Sequence, residues 1–190
     1  RFVDRAKPDG YELAAYNVPH FIAQSIVFPD KVKYNVDNLE PIANWGADPA
    51  VLIVNKDSPL NSVQDVIDYA KANPGKLTLS GSGKGTANHL AQIQFDGMAG
   101  IKTTYVAFKG TGAAVTALLG KQVMAEWGYT SVGAKQAEKA RMLAVAMDKR
   151  HPEFPDVPTF KELGFDLISG AFRGIAVPKS TPEEIRMKLS

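Results

Sequence analysis

Leu77–Leu90, LTLSGSGKGTANHL, joins an apolar run to a glycine-rich turn and the opening of a helix. Strand, turn and helix in that order form the repeating unit of α/β folds. The same grammar continues on both sides. Upstream, AVLIVN at Ala50–Asn55 is a continuous apolar run, which predicts a strand buried on both faces in a parallel sheet. Between the two runs, Ser62 can cap a helix with Asp65 three residues later, while Val63, Val66, Ile67 and Ala70 share one face. Pro74 and Gly75 end that helix.

Downstream of the opening stretch, a helix is predicted from about Thr86 to Met98, then a strand at Thr104–Phe108 and a helix from about Ala113 to Leu119. A strand at Gln122–Trp127, a helix to Ala140 and the strand MLAVAM at Met142–Met147 follow. Strands alternating with helices of about ten residues predict βαβ units and a parallel sheet. HPEFPDVPTFKELGFD at His151–Asp166 reads as an extended connection leading to one short helix, Phe160–Leu163, capped by Thr159 and stopped at Gly164. The strand FRGIAVP and a helix start at STPEE, with Thr181 as cap and Pro182 in the first helical position, close the chain. At the other end, Pro8-Asp9-Gly10 marks a turn before a strand starting at Tyr11.

Composition excludes several classes. The 190 residues are 45% hydrophobic and 22% charged, which is ordinary globular usage, and the net charge of +2 carries no basic block that points to nucleic acid. There is no cysteine, so disulfides, thiolate chemistry and cysteine-ligated zinc are absent together. His20, His89 and His151 are scattered with no carboxylate at helical spacing, so no metal site is expected. No apolar run approaches the ~20 residues of a membrane helix. The chain begins at Arg1 rather than Met and ends on what reads as the start of a helix. It is therefore read as an internal piece of a longer protein, with any signal peptide outside it.

GSGKGT at Gly81–Thr86 raises the question of a nucleotide phosphate loop. That loop needs a glycine five residues before Gly83-Lys84, where Thr78 stands, and a hydroxyl where Gly85 stands. A kinase reading is thus a remote alternative. The Gly-x-Ser-x-Gly elbow of a hydrolase is missing as well, because Ser80 and Lys84 flank Ser82 at those spacings. The physics of the turn survives without the nucleotide. A glycine turn at a strand's carboxyl end, running into a helix, aims backbone N–H groups and the positive helix end at one point, and so suits an anion such as a carboxylate. FKGTGAAV at Phe108–Val115 has the same design after the next strand. In an open parallel sheet both turns emerge at the edge where ligands sit. Taken alone, either one reads equally well as a tight βα turn.

Five motifs spread over nearly the whole chain resemble one family. They are PDGYEL at Pro8–Leu13, YAKANPGKLTLSGSGKGTANHLA at Tyr69–Ala91, GIKTTYVAFKGTGAAVTALLGKQV at Gly100–Val123, RHPEFPDVPTFKELGF at Arg150–Phe165 and GIAVPKSTPEEI at Gly174–Ile185. Their order and spacing are similar to those of the extracytoplasmic solute-binding proteins of tripartite tricarboxylate transporters, the Bug-type receptors. The resemblance implies an α/β fold of the periplasmic-binding-protein-like type II, with two α/β domains, a ligand cleft and a hinge. Residues 1–46 and 171–190 would belong to domain 1 and residues 47–170 to domain 2, with hinges near Gly46 and Ala171. It implies a periplasmic, monomeric receptor without catalytic residues, cofactor or metal. Such a receptor captures a di- or tricarboxylate, or an aromatic carboxylate, and hands it to the membrane subunits of its transporter. A ligand-sensing module of a signalling system is the alternative on the same fold. By position, Ser82, Gly83, Gly85, Thr86 and His89 match the ligand loop and helix start of the second domain. Lys109, Gly110 and Thr111 match the neighbouring turn, and Asn17 matches the end of a first-domain strand. Lys84 and AEWGYTS at Ala125–Ser131 depart from the family pattern. Trp127 and Tyr129 are read as core or rim packing, or else as a flat surface for an aromatic or longer acid.

Overall fold

The computed structural model describes residues 3–190. They form two compact units, one made of the chain up to Ala47 together with Ala171–Ser190, the other of Asp48–Gly170.

In the first unit, strand β1 (Ala14–Val18) lies antiparallel to β7 (Gly170–Pro178), with Asn17 opposite Arg173. The leading part of β2 (Leu39–Asn55) flanks β7 on its other side. Helix α1 (His20–Val27) buries none of its residues, and neither does α6 (Glu183–Leu189). Phe21 stacks on Tyr34 at 4.5 Å between ring centres, and the Tyr34 hydroxyl donates to the Phe21 carbonyl. At α6 the flanking residue is Pro182, one position later than the predicted cap. Among the described residues the buried Thr181 hydroxyl has no hydrogen-bond partner, so it does not cap the helix.

The second unit holds the main core. Its sheet runs β6, β2, β5, β3, β4, where β3 is Thr78–Gly81, β4 Thr104–Ala107, β5 Ala125–Tyr129 and β6 Ala140–Val145. Strand β3 is parallel to both β4 and β5. Strand β2 differs from the expectation: Ala50–Asn55 is buried on both faces as its apolar run requires, but it is antiparallel to both β5 and β6. A continuous apolar run reports burial on two faces, which a strand of either direction can satisfy. Ala50, Leu52 and Val54 pack on one side of the sheet with α2 (Val63–Ala72) and α3 (Ala87–Ala99). Val51 and Ile53 pack on the other with α4 (Thr111–Leu119).

Local chemistry explains most boundaries. Helix α2 opens on a complete capping box, in which Ser62 Oγ accepts from Asp65 N–H and the Asp65 carboxylate accepts from Ser62 N–H. Helix α3 ends at Gly100 in the left-handed conformation, φ 62°. Two expected helices are shorter or missing. Helix α5 covers only Thr130–Lys135, because the chain has entered β6 by Ala140, where it pairs with Asn55. Phe160–Leu163 is a series of turns and no helix. Thr159 and Glu162 do exchange the reciprocal bonds of a capping box, but only i→i+3 bonds follow, from Leu163 N–H to the Phe160 carbonyl and from Gly164 N–H to the Lys161 carbonyl, and Gly164 at φ 90° ends the turn. The Phe160 N–H, which a helix start leaves free, donates to the Val145 carbonyl of β6 and holds the segment against the sheet.

An aromatic cluster ties α3 and the Phe160 turn to β5. Phe95 meets Trp127, Phe160 and Phe165 edge-on at 5.2 to 5.8 Å, and Trp127 stacks on Phe160 at 5.4 Å. Trp127 is fully buried in this cluster, so it offers no surface to a ligand, and Tyr129 is buried as well. The core reading of both aromatics holds. Among the described residues no helix is long and apolar enough to cross a membrane.

Candidate functional site

Because β3, β4 and β5 are parallel, the turns that follow them leave the sheet at the same edge. The turn after β3 contains Ser82, Gly83, Lys84, Gly85 and Thr86. Its backbone needs glycine at two places, with φ 126° at Gly83 and 73° at Gly85. Thr86 closes it by donating its hydroxyl to the Gly83 carbonyl at 2.7 Å, and then flanks α3 in an extended conformation.

Behind the turn, Tyr105 of β4 donates its hydroxyl to the same Gly83 carbonyl at 3.1 Å. Gly81 makes room for that ring, since a β-carbon there would collide with it. His89, one turn into α3, packs against Tyr105 with 4.5 Å between ring centres. The Gly85 N–H donates to His89 Nδ1 at 3.2 Å, which places the ring's proton on Nε2. Burial, reinforced by the nearby Lys84 charge, pushes the His89 pKa below its ordinary value, so the neutral ring is favoured.

The second turn passes through Phe108, Lys109 and Gly110, where φ is 97°, into α4 at Thr111. It is anchored to the first by Phe108 N–H donating to the Gly81 carbonyl at 2.9 Å. The Phe108 carbonyl lies 3.8 Å from where a β-carbon on Gly83 would stand. Ser82, Gly83, Gly85, Thr86 and His89 are thus joined by direct contacts, with Lys109, Gly110 and Thr111 in the adjoining turn. Asn17 is in the other unit, on β1, where its Oδ1 is buried without a hydrogen-bond partner among the described residues.

Three residues beneath the turns were not singled out from sequence. Asn88 is buried and links elements far apart in the chain: its Oδ1 accepts from Ser82 Oγ at 2.5 Å, and its Nδ2 donates to the Trp127 carbonyl at 2.6 Å. Tyr105 is the second. The third is Glu126 of β5, 1% exposed, with neither carboxyl oxygen hydrogen-bonded among the described residues. Burial raises its pKa to about 8, so at neutral pH it is mainly an uncharged acid. An acid within the apolar alternation of AEWGY was the available signal, since a strand buried on both faces leaves such a side chain no route to water.

The sequence matches the family described as tripartite tricarboxylate transporter family receptor, TctC, over residues 1–190. The chain belongs to that family. It is 36% identical over 185 residues to the protein of Cupriavidus necator named UPF0065 protein in gbd 5'region, covering 96% of this chain and 55% of that one. This TctC-family chain therefore spans about half the length of that relative. MatC of Rhodopseudomonas palustris, solved with bound malate, superposes with a TM-score of 0.83 at 28% identity, over 98% of this chain and 65% of that one. Rpa4515 of R. palustris, solved with adipate, superposes with a TM-score of 0.82 at 26% identity, over 98% and 64%. The fold is the α/β fold of the TctC and Bug solute-binding proteins.

Proposed function

We propose that the chain is part of a periplasmic receptor that captures a small carboxylate-bearing organic acid and delivers it to the membrane subunits of a tripartite tricarboxylate-type transporter. The observation that carries this reading is the pair of interlocked glycine turns at the carboxyl ends of the adjacent parallel strands β3 and β4, each leading into a helix. Both helices begin without a side-chain cap, so no N-cap side chain takes the N–H groups of their first turns. Family relatives with the same fold hold malate and adipate.

In this reading Ser82, Gly83, Thr86, Lys109, Gly110 and Thr111 line the carboxylate site. His89 takes part in two ways. Its Nδ1 holds the Gly85 N–H in place, and its Nε2–H remains a donor. Gly85 serves by its backbone conformation. Residues 47–170 act as the second ligand-binding domain, with residues 1–46 and 171–190 belonging to the first. The protein binds and releases its solute unchanged, as a monomer and without a cofactor. A di- or tricarboxylate is favoured over an aromatic acid, because Trp127, the aromatic surface that pointed to the latter, is spent in the core.

Thermal shifts of the full-length protein, stripped of ligand, test this against malate, adipate, citrate, benzoate and Mg-ATP. A ligand specific for the folded state stabilises by ~2.7 kcal/mol at a hundredfold excess over its dissociation constant. A shift with an aliphatic acid and none with Mg-ATP is expected. A shift with Mg-ATP alone would overturn the reading in favour of a phosphate loop.

A further inference from the structure

Glu126 is a buried acid that the receptor reading leaves without a task and that has no hydrogen-bond partner among the described residues. It stands opposite Ser80 in the β3–β5 register, two residues before the turn that starts at Ser82, a distance of about 7 Å along the strand. Its side chain leans toward that edge: Oε1 lies 3.4 Å from where a β-carbon on Gly128 would be. Both carboxyl oxygens are buried and have no hydrogen-bond partner among the described residues. Its charge is felt at Tyr105, whose hydroxyl holds the Gly83 carbonyl.

Nothing packed on β5 neutralises it. Strand β3 and helix α4 carry no titratable side chain. From α3 come His89, whose neutral form is favoured, and Asp96, which is engaged by Gln92 and Thr103. Lys135 is on α5 and Asp48 on β2, the latter bound to Thr130 and Ser131. None of these is paired with Glu126. Lys84 and Lys109 lie in the two turns themselves.

We propose that Glu126 is a proton-linked control on the carboxylate site: the turns hold an anion while Glu126 is protonated and lose affinity for it when Glu126 ionises beneath them. This rests on the receptor reading and adds a coupling to it. The cause is like-charge repulsion, which at about 10 Å inside a protein disfavours the doubly charged state by roughly tenfold. By linkage, anion capture makes the proton harder to remove by the same factor, so binding takes up protons around the pH where free Glu126 titrates. A site with this property grips its ligand at neutral and acid pH and loosens under alkaline conditions.

The test is calorimetric titration of the full-length protein with malate, adipate and citrate at pH 7 and pH 9, in two buffers of different ionisation enthalpy. With Glu126 titrating near 8 when free and about tenfold less readily when the site is filled, wild-type affinity falls about fivefold between pH 7 and pH 9, with proton uptake on binding. Glu126→Gln binds with affinity that does not change over that interval. Equal wild-type affinity at both pH values, or the same fivefold loss in the variant, overturns the coupling and leaves the receptor reading in place. Binding of none of the three acids at any pH overturns the reading of the site, and the coupling with it. The wild-type proton uptake decides the matter even if the variant fails to fold.

Discussion

Glu126→Gln has a consequence for stability that can be worked from the structure before any ligand is added. The folded chain holds the Glu126 proton up to a pH of about 8, whereas the unfolded chain releases it near the ordinary 4.5. Between those values the folded state binds more protons than the unfolded one, so stability must fall as pH rises. The penalty is roughly 1 kcal/mol at pH 5 and roughly 4 kcal/mol at pH 8, a loss of roughly 3 kcal/mol over three pH units. Gln keeps the side chain's size and cannot ionise, so the term vanishes in the variant. Urea unfolding reports it, followed by the fluorescence of Trp127, which sits fully buried beside Glu126, with the exposed Trp45 replaced by Phe. His89 acts in the opposite direction, since its pKa is lowered in the fold and its contribution to stability grows as pH rises toward neutrality. That contribution is common to both proteins and cancels in their difference. The stability of Glu126→Gln relative to wild type should therefore climb by roughly 3 kcal/mol from pH 5 to pH 8. A difference that stays constant across the range would refute the claim that Glu126 is buried as an uncharged acid.

Asn88→Ala strands the Trp127 carbonyl in the core and should cost about 2 kcal/mol, read as a lower melting temperature, while freeing Ser82 from its anchor. Ser62→Ala removes the side-chain half of the α2 capping box, and a loss of about 1 kcal/mol is expected from denaturant midpoints, with the acid affinity unchanged. Gly81→Ala should displace Tyr105 and weaken binding of the acid, and Tyr105→Leu in the same protein should recover part of the lost stability; full stability in the single variant would show that the ring is not confined as described. Gly85→Val places a β-branched residue at φ 73° in the first turn and should eliminate the ligand-induced thermal shift at a folding cost of about 2 kcal/mol; an unchanged shift would remove that turn from the site.

Much of the architecture was readable from short-range pattern. The capping box at Ser62 and Asp65, the apolar face of α2, the glycine turns at Gly83, Gly85 and Gly110, and the order of strands and helices from Ala50 to Val145 all rest on contacts within a few residues, which sequence spacing encodes directly. The resemblance to the receptor family rested on the same local motifs, and the match over residues 1–190 establishes it. What the tertiary structure alone decided depends on residues distant in the chain. The apolar run at Ala50–Val54 announced two buried faces but not its direction, which hydrogen bonds to β5 and β6 impose. Thr159 and Glu162 form the signature of a helix start, yet no helix follows: Val145 of β6 binds the Pro158 carbonyl and the Phe160 N–H on either side of Thr159, and the chain turns back at Gly164, φ 90°, after a single turn. Asn88 looks like any polar helix residue until the chain brings Ser82 to one side of it and the Trp127 carbonyl to the other. Glu126 reads as an ordinary acid until packing closes over it, since its protonation is set by the absence of water and countercharge, a property of the assembled core rather than of any local stretch of sequence.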